Sequence, residues 1–189
     1  MQSESNLQLP ESHLNILRIV SAIAWADGKL SEAELNVIIH GFDPDLPASP
    51  SPLLYLEDPQ FLFGTSVERE TVSKQLSERI SAELALKEVI MEYKYNPLPL
   101  KVLVDKLATQ EDRCLALKLA YMVIKASPNE SGQLINMEEK KAYRQLVDLL
   151  NLEEDLVREI ELQADGDLEK FQHPLQAFLD SLKKALGMS

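Results

Sequence analysis

Residues 24–39 read AWADGKLSEAELNVII. An apolar run arrives here from Leu14, Leu17, Val20, Ile23 and Ala24, spaced as one face of a helix that points into a core. Ser12 stands as the cap of that helix, and Asp27-Gly28 stops it, because glycine takes the left-handed conformation that closes a helix. Ser31 then opens a second helix. Its hydroxyl can accept the N–H of Glu34 while the Glu34 carboxylate reaches back to the N–H of Ser31, a reciprocal capping box. Leu30 and Leu35 flank the cap as a hydrophobic staple. The second helix runs to about His40, with Gly41 expected to end it.

The same stretch invites comparison with a calcium loop. On the twelve-position ruler Asp27 takes position 5, Gly28 position 6 and Glu34 position 12. Positions 1 and 3 fall on Ile23 and Trp25, so two carboxylates are missing, and both residues belong to the preceding helix, which cannot wrap an ion. ELQADGDLEKFQ, residues 161–172, fails as well, with Gln163 at position 3 and Gln172 at position 12. Neither is an EF-hand. The opening stretch is helix–turn–helix.

Outward from it, the chain reads as helices punctuated by caps. Residues 43–64 hold five of the ten prolines and deny a regular helix its donors, so they form an insertion. Its apolar residues, Tyr55 and Phe61 among them, are expected to pack back onto the helices, with docking of a partner as the alternative. Thr65 with Glu68 caps a long helix to about residue 93, with Val72, Leu76, Ile80, Leu84 and Ile90 near one stripe. Asn96-Pro97 ends it, and a short helix starting near Pro99 reaches about Leu107. Thr109 caps QEDRCLALKLAYMVIK, apolar nearly all round and therefore the expected central helix. Asn136 with Glu139 opens a helix to about Leu150, and Asn151 with Glu154 opens one over about 152–163. ADGDLEKFQ reads as a turn, with a short helical stretch beside it as the alternative, and Pro174 starts a last amphipathic helix, in a tail (165–189) expected to pack on the bundle; its alternative role is to join two copies. The expectation is an all-α, compact bundle of about eight helices in a single domain. Two related helical hairpins lie at its centre, the second echoing the first through Ala126, Gly132, Leu134 and the cap at Asn136.

Composition narrows function by exclusion. The formal charge of −12 repels nucleic acid and anionic lipid, and suits cations, basic partners or plain solubility. No apolar run approaches the roughly 18–20 residues of a membrane span. The polar, acidic start MQSESNLQLPESH is not a signal peptide, which makes the cytoplasm the expected compartment. Cys114 is the one cysteine, so no intrachain disulfide forms; in its apolar run it reads as a buried structural thiol. His13, His40 and His173 show no metal-ligand spacing to one another, and no Gly-rich phosphate loop or activated nucleophile is visible.

With Ala26, Asp27, Gly28, Leu30 and Glu34 in the first hairpin, and Leu134, Glu139, Leu146, Leu149 and Leu150 in the second, the chain resembles the TerB-like family of tellurite-resistance proteins. The likeness covers roughly residues 12 to 42 and 100 to 162. It implies a compact helical bundle, a cytoplasmic role in metal or oxyanion stress, partners that include membrane-associated proteins, and no enzymatic reaction. It also implies an acidic patch, built from both hairpins, that can meet a cation. This chain departs from the pattern in two places. Its second hairpin offers Ser131-Gly132 where the family has Asp-Gly, with Glu130 nearby, and the proline-rich insertion is extra.

Asp27 and Glu34 are the sharpest pair. Read plainly they are a turn aspartate and a capping glutamate. Read functionally they are oxygen ligands of a divalent cation, closed by Glu130 or Glu139 from the second hairpin. Without cysteine or histidine in these loops, calcium, magnesium or manganese would be preferred. Trp25 is read as core packing between the hairpins, with a partner-binding role, shared with Tyr55 and Phe61, as the alternative. The leading expectation is a non-enzymatic, stress-linked scaffold with an acidic surface that meets another protein. The second is a divalent-cation sensor or buffer at the Asp27/Glu34 hairpin.

Overall fold

The computed structural model describes residues 10–42, 66–126 and 137–172. Among these residues it is all-helical, with seven helices and no strand. We number them α1 (Glu11–Ala24), α2 (Glu32–Phe42), α3 (Ser66–Tyr95), α4 (Leu100–Val104), α5 (Gln110–Ala126), α6 (Met137–Leu150) and α7 (Glu154–Gln172). The insertion at 43–64, the caps at Thr65 and Asn136, the loop with Glu130, and the last helix expected after Pro174 lie outside the described residues. No described helix is long and apolar enough to cross a membrane.

The core is built on α1 and α5. α1 buries Ile16, Leu17, Ile19, Val20, Ile23 and Ala24; α5 buries Leu117, Leu119, Ala120, Met122, Val123 and Ile124. These two helices pack on each other, and α5 also packs against α2, α6 and α7, which is why its sequence is apolar nearly all round. Small residues, Ser21 and Ala24 on α1 and Ala116 and Ala120 on α5, are fully buried and keep both helices slim. Ser21 satisfies its hydroxyl within its own helix, donating to the Leu17 carbonyl at 2.7 Å. α3 packs on α1 and α2, and α4 on α1 and α6.

Several boundaries differ from the sequence reading for identifiable reasons. α1 starts at Glu11, one residue before Ser12; Pro10 precedes it with φ −51°, and no side chain caps it. Asn151 does not cap the next helix. Its φ of +49° makes it the left-handed residue that closes α6, a role asparagine tolerates. ADGDLEKFQ holds no turn; it is helical throughout and forms the second half of α7, longer than the short helical stretch expected there. Ile160, Ala164 and Leu168 recur every four residues on its buried side, and Lys118 and Lys125 of α5 hold Asp167 and Asp165 at 2.6 and 3.4 Å. In α3 the buried face is Leu86, Ile90 and Tyr93. Ile80 and Leu84, expected on the same stripe as Ile90, face outward.

Gly41 does not end α2, which continues through Phe42. A Cβ at position 41 would collide with the side chain of Leu119, so this glycine marks the close approach of α2 to α5. Gly166 lies inside α7 with open space where its Cβ would be. The same substitution should therefore act in opposite directions. Gly41→Ala is expected to cost about 1–3 kcal/mol, because buried Leu119 must be displaced. Gly166→Ala is expected to add about 0.5–1 kcal/mol through helix propensity. Urea unfolding of both variants beside wild type measures the two signs.

Candidate functional site

The α1–α2 turn is assembled as its residues dictate. α1 ends at Ala24 and the chain turns through Gly28, whose φ is +82°. The Asp27 carboxylate accepts the Lys29 N–H at 2.8 Å, an Asx turn. Ser31 and Glu34 then form the reciprocal box. The Ser31 N–H donates to Glu34 Oε2 at 2.6 Å, and the Glu34 N–H donates to Ser31 Oγ at 3.2 Å.

Glu34 is more than a cap. It is 1% exposed, and its second oxygen, Oε1, is buried with no hydrogen-bond donor of the protein upon it. Its carboxyl is in hydrogen-bond contact with that of Glu139 on α6, itself 3% exposed. Burial pushes the Glu34 pKa above the ordinary carboxylate value; the donors of Ser31 pull it back, the negative charge of Asp27 raises it, and the hydrogen bond with Glu139 lowers it. Two buried carboxyls in contact repel if both are ionised. They hold together only through a proton or a cation.

The proposed ligand set thus resolves unevenly. Glu34 and Glu139 meet. Asp27 acts on Glu34 through its charge and is engaged by the turn. Glu130 lies outside the described residues. Among the described residues no group of three or more acidic, histidine or cysteine side chains is arranged to hold a metal. Calcium takes six to eight oxygens, so the pair by itself would have to be completed by water, backbone or further carboxylates.

Trp25 ties α1 to α3, where its indole N–H donates to the Ile90 carbonyl at 3.0 Å and Lys94 Nζ sits 4.6 Å from the ring centroid. It is half-buried. Tyr55 and Phe61 lie outside the described residues, as does His173. His40 is buried, and its Nδ1–H donates to the Asn36 carbonyl at 2.6 Å; His13 meets the Phe42 ring edge-on at 6.3 Å. Cys114 is half-buried, and burial raises its thiol pKa, which opposes nucleophilic use.

One polar cluster had no forewarning. Between α5, α6 and α7, buried Tyr143 donates to Glu161 at 2.8 Å, Tyr121 donates to Asp165 at 3.2 Å, and Lys125 lies 5.1 Å from the Tyr121 ring centroid. Burial first, and the facing carboxylate second, hold Tyr143 far above the ordinary phenol range. A shallow groove of about 420 Å³ opens beside these tyrosines, with Lys140 and Arg144 at its rim. The burial of Glu139 did leave a trace in the sequence. It stands four and seven residues before Tyr143 and Leu146, in line with the buried stripe of α6.

No family model, curated protein or solved structure matches this chain.

Proposed function

We propose that this chain is a non-enzymatic, TerB-like helical scaffold or protein-interaction module of the cytoplasm, linked to metal or oxyanion stress. In this reading helices α1–α2 and α5–α6 are two related hairpins, and the partner is another protein, free or membrane-associated. The family assignment and the stress link rest on the Ala26-Asp27-Gly28 hairpin and its partial echo. The observation that carries the interaction role is the outer face of α3. Ile80, Leu84, Met91 and Tyr95 are 40, 60, 44 and 75% exposed, and their spacing sets them within about 60° of one another around the helix. A row of this kind, on a helix that packs on α1 and α2 through its other face, is a docking face. Glu88 and Glu92 are exposed beside it, and the whole chain carries −12, so a Lys/Arg-rich amphipathic helix is the complementary occupant.

A second reading, a divalent-cation sensor or buffer, is favoured by the buried contact of Glu34 with Glu139. A hard cation would relieve the repulsion between them and supply what Glu34 Oε1 lacks.

Two experiments test these readings. A photo-crosslinker at position 84, used in cells that carry the protein, is expected to capture a partner through a Lys/Arg-rich helix. That helix, made as a peptide, should bind wild type and lose at least about tenfold in affinity, or ~1.4 kcal/mol, against the double variant Leu84→Asp/Met91→Asp. Both positions are exposed, so the variant should fold normally. Crosslinks only between copies of this chain, or a peptide indifferent to the variant, would contradict the interaction role. For the second reading, calorimetry with calcium, magnesium and manganese should give heat and a melting-temperature rise at millimolar cation, both lost in Glu34→Gln. Silence with all three removes it.

A further inference from the structure

We propose that the groove between α5, α6 and α7 is a binding site for a compact organic monocarboxylate with an aromatic body. None of its lining residues belongs to the docking face of α3 or to the Glu34–Glu139 pair, so the site is separate from both functional readings.

The protein itself holds the walls in place. Tyr121 of α5 and Tyr143 of α6 stand with ring centroids 5.8 Å apart and planes tilted by 54°. Each hydroxyl donates to an acid of α7, Tyr143 to Glu161 and Tyr121 to Asp165. Those two bonds tie α7 to the other helices and fix both rings, so a ligand loses little to ordering the site. Ile124, Val147 and Val157, one from each helix, complete an apolar lining. The volume of about 420 Å³ is near the lower end of the roughly 300–1,000 Å³ of small-molecule sites, which selects a compact ligand rather than a chain segment.

Charge defines the other end of the ligand. Lys140 and Arg144 line the groove from α6, are exposed, and stand one turn apart on the same side of the helix. Two like charges so placed repel each other, and Lys140 stands near the start of α6, where the helix dipole disfavours a cation. Among the described residues neither has an ion-pair partner, although the chain holds 31 acids to 19 bases. Elsewhere Lys118 and Lys125 meet acids of α7, and Lys87, Lys101 and Arg158 meet acids one turn away. Arg144 presents the planar fork that takes a carboxylate through two parallel hydrogen bonds, and Lys140 adds a second charge beside it. Two acids limit the ligand to a single negative charge. Glu161 lines the groove with Tyr143 upon it, and Asp148 is exposed one turn beyond Arg144; together they offset the cations and disfavour a polyanion such as a phosphate ester.

NMR spectra of the full chain, titrated with phenylacetate or indole-3-acetate, test this. Saturable shifts are expected at Ile124, Val147, Val157 and the two tyrosines, with a Kd of about 1 mM or below. Phenylacetamide, which keeps the ring and lacks the charge, should bind at least about tenfold more weakly, and so should phenylacetate against the double variant Lys140→Gln/Arg144→Gln. Both positions are exposed, so the variant should fold as wild type does. Acetate, which keeps the charge without the ring, and inorganic phosphate should leave these resonances unmoved. No saturable shift with either aromatic acid overturns the proposal. Equal binding of the amide, an indifferent double variant, or an equal response to acetate or phosphate overturns it too, since each reveals a surface that reads only the ring or only the charge.

Discussion

Everything in this molecule hangs on the packing of α1 against α5. At 14 and 17 residues, these helices draw most of their stability from packing of an apolar face rather than from helix propensity. Each buries a broad apolar face, and burying the two together removes both from water. The other contacts are placed by this one. α2 follows α1 through the turn at Gly28 and lies on α5, with Gly41 taking up the close approach. α6 and α7 lie on further sides of α5, and α3 and α4 lie on α1.

That arrangement has an electrostatic consequence. With α2 and α6 both placed against the central pair, the first-turn glutamates of the two helices meet inside the protein rather than in water. A first-turn glutamate ordinarily gains from the helix dipole as an exposed anion. Here the favourable placement in each helix becomes a conflict between helices, which a chain with 31 acidic residues could have avoided by exposing one more of them. Retaining both inside makes the joint between α2 and α6 depend on what neutralises the pair.

Much of the architecture was legible because it rests on local chemistry. The capping box at Ser31–Glu34, the left-handed Gly28, the Thr109 cap that accepts the Asp112 N–H at 3.0 Å, and the central apolar helix all follow from side chains within a few residues of each other. What was misread depends on tertiary partners. The Asp-Gly-Asp of α7 resembles a turn until Lys118 and Lys125 are seen to hold it on α5. Gly41 resembles a helix stop until Leu119 is seen beside it. Ile80 and Leu84 share the periodicity of a buried stripe, yet α3 presents Leu86, Ile90 and Tyr93 to the bundle. The candidate site was half legible. Both glutamates were visible as first-turn acids, but their meeting depends on where α2 and α6 are held, which no spacing along the chain records.

Native-state hydrogen exchange tests the central claim most directly. If the α1–α5 contact holds the bundle together, the slowest amides should lie in α1 and α5, and should open with one common free energy equal to that of global unfolding. Slow exchange confined to α5, with α1 opening separately at a markedly lower free energy, would contradict the account.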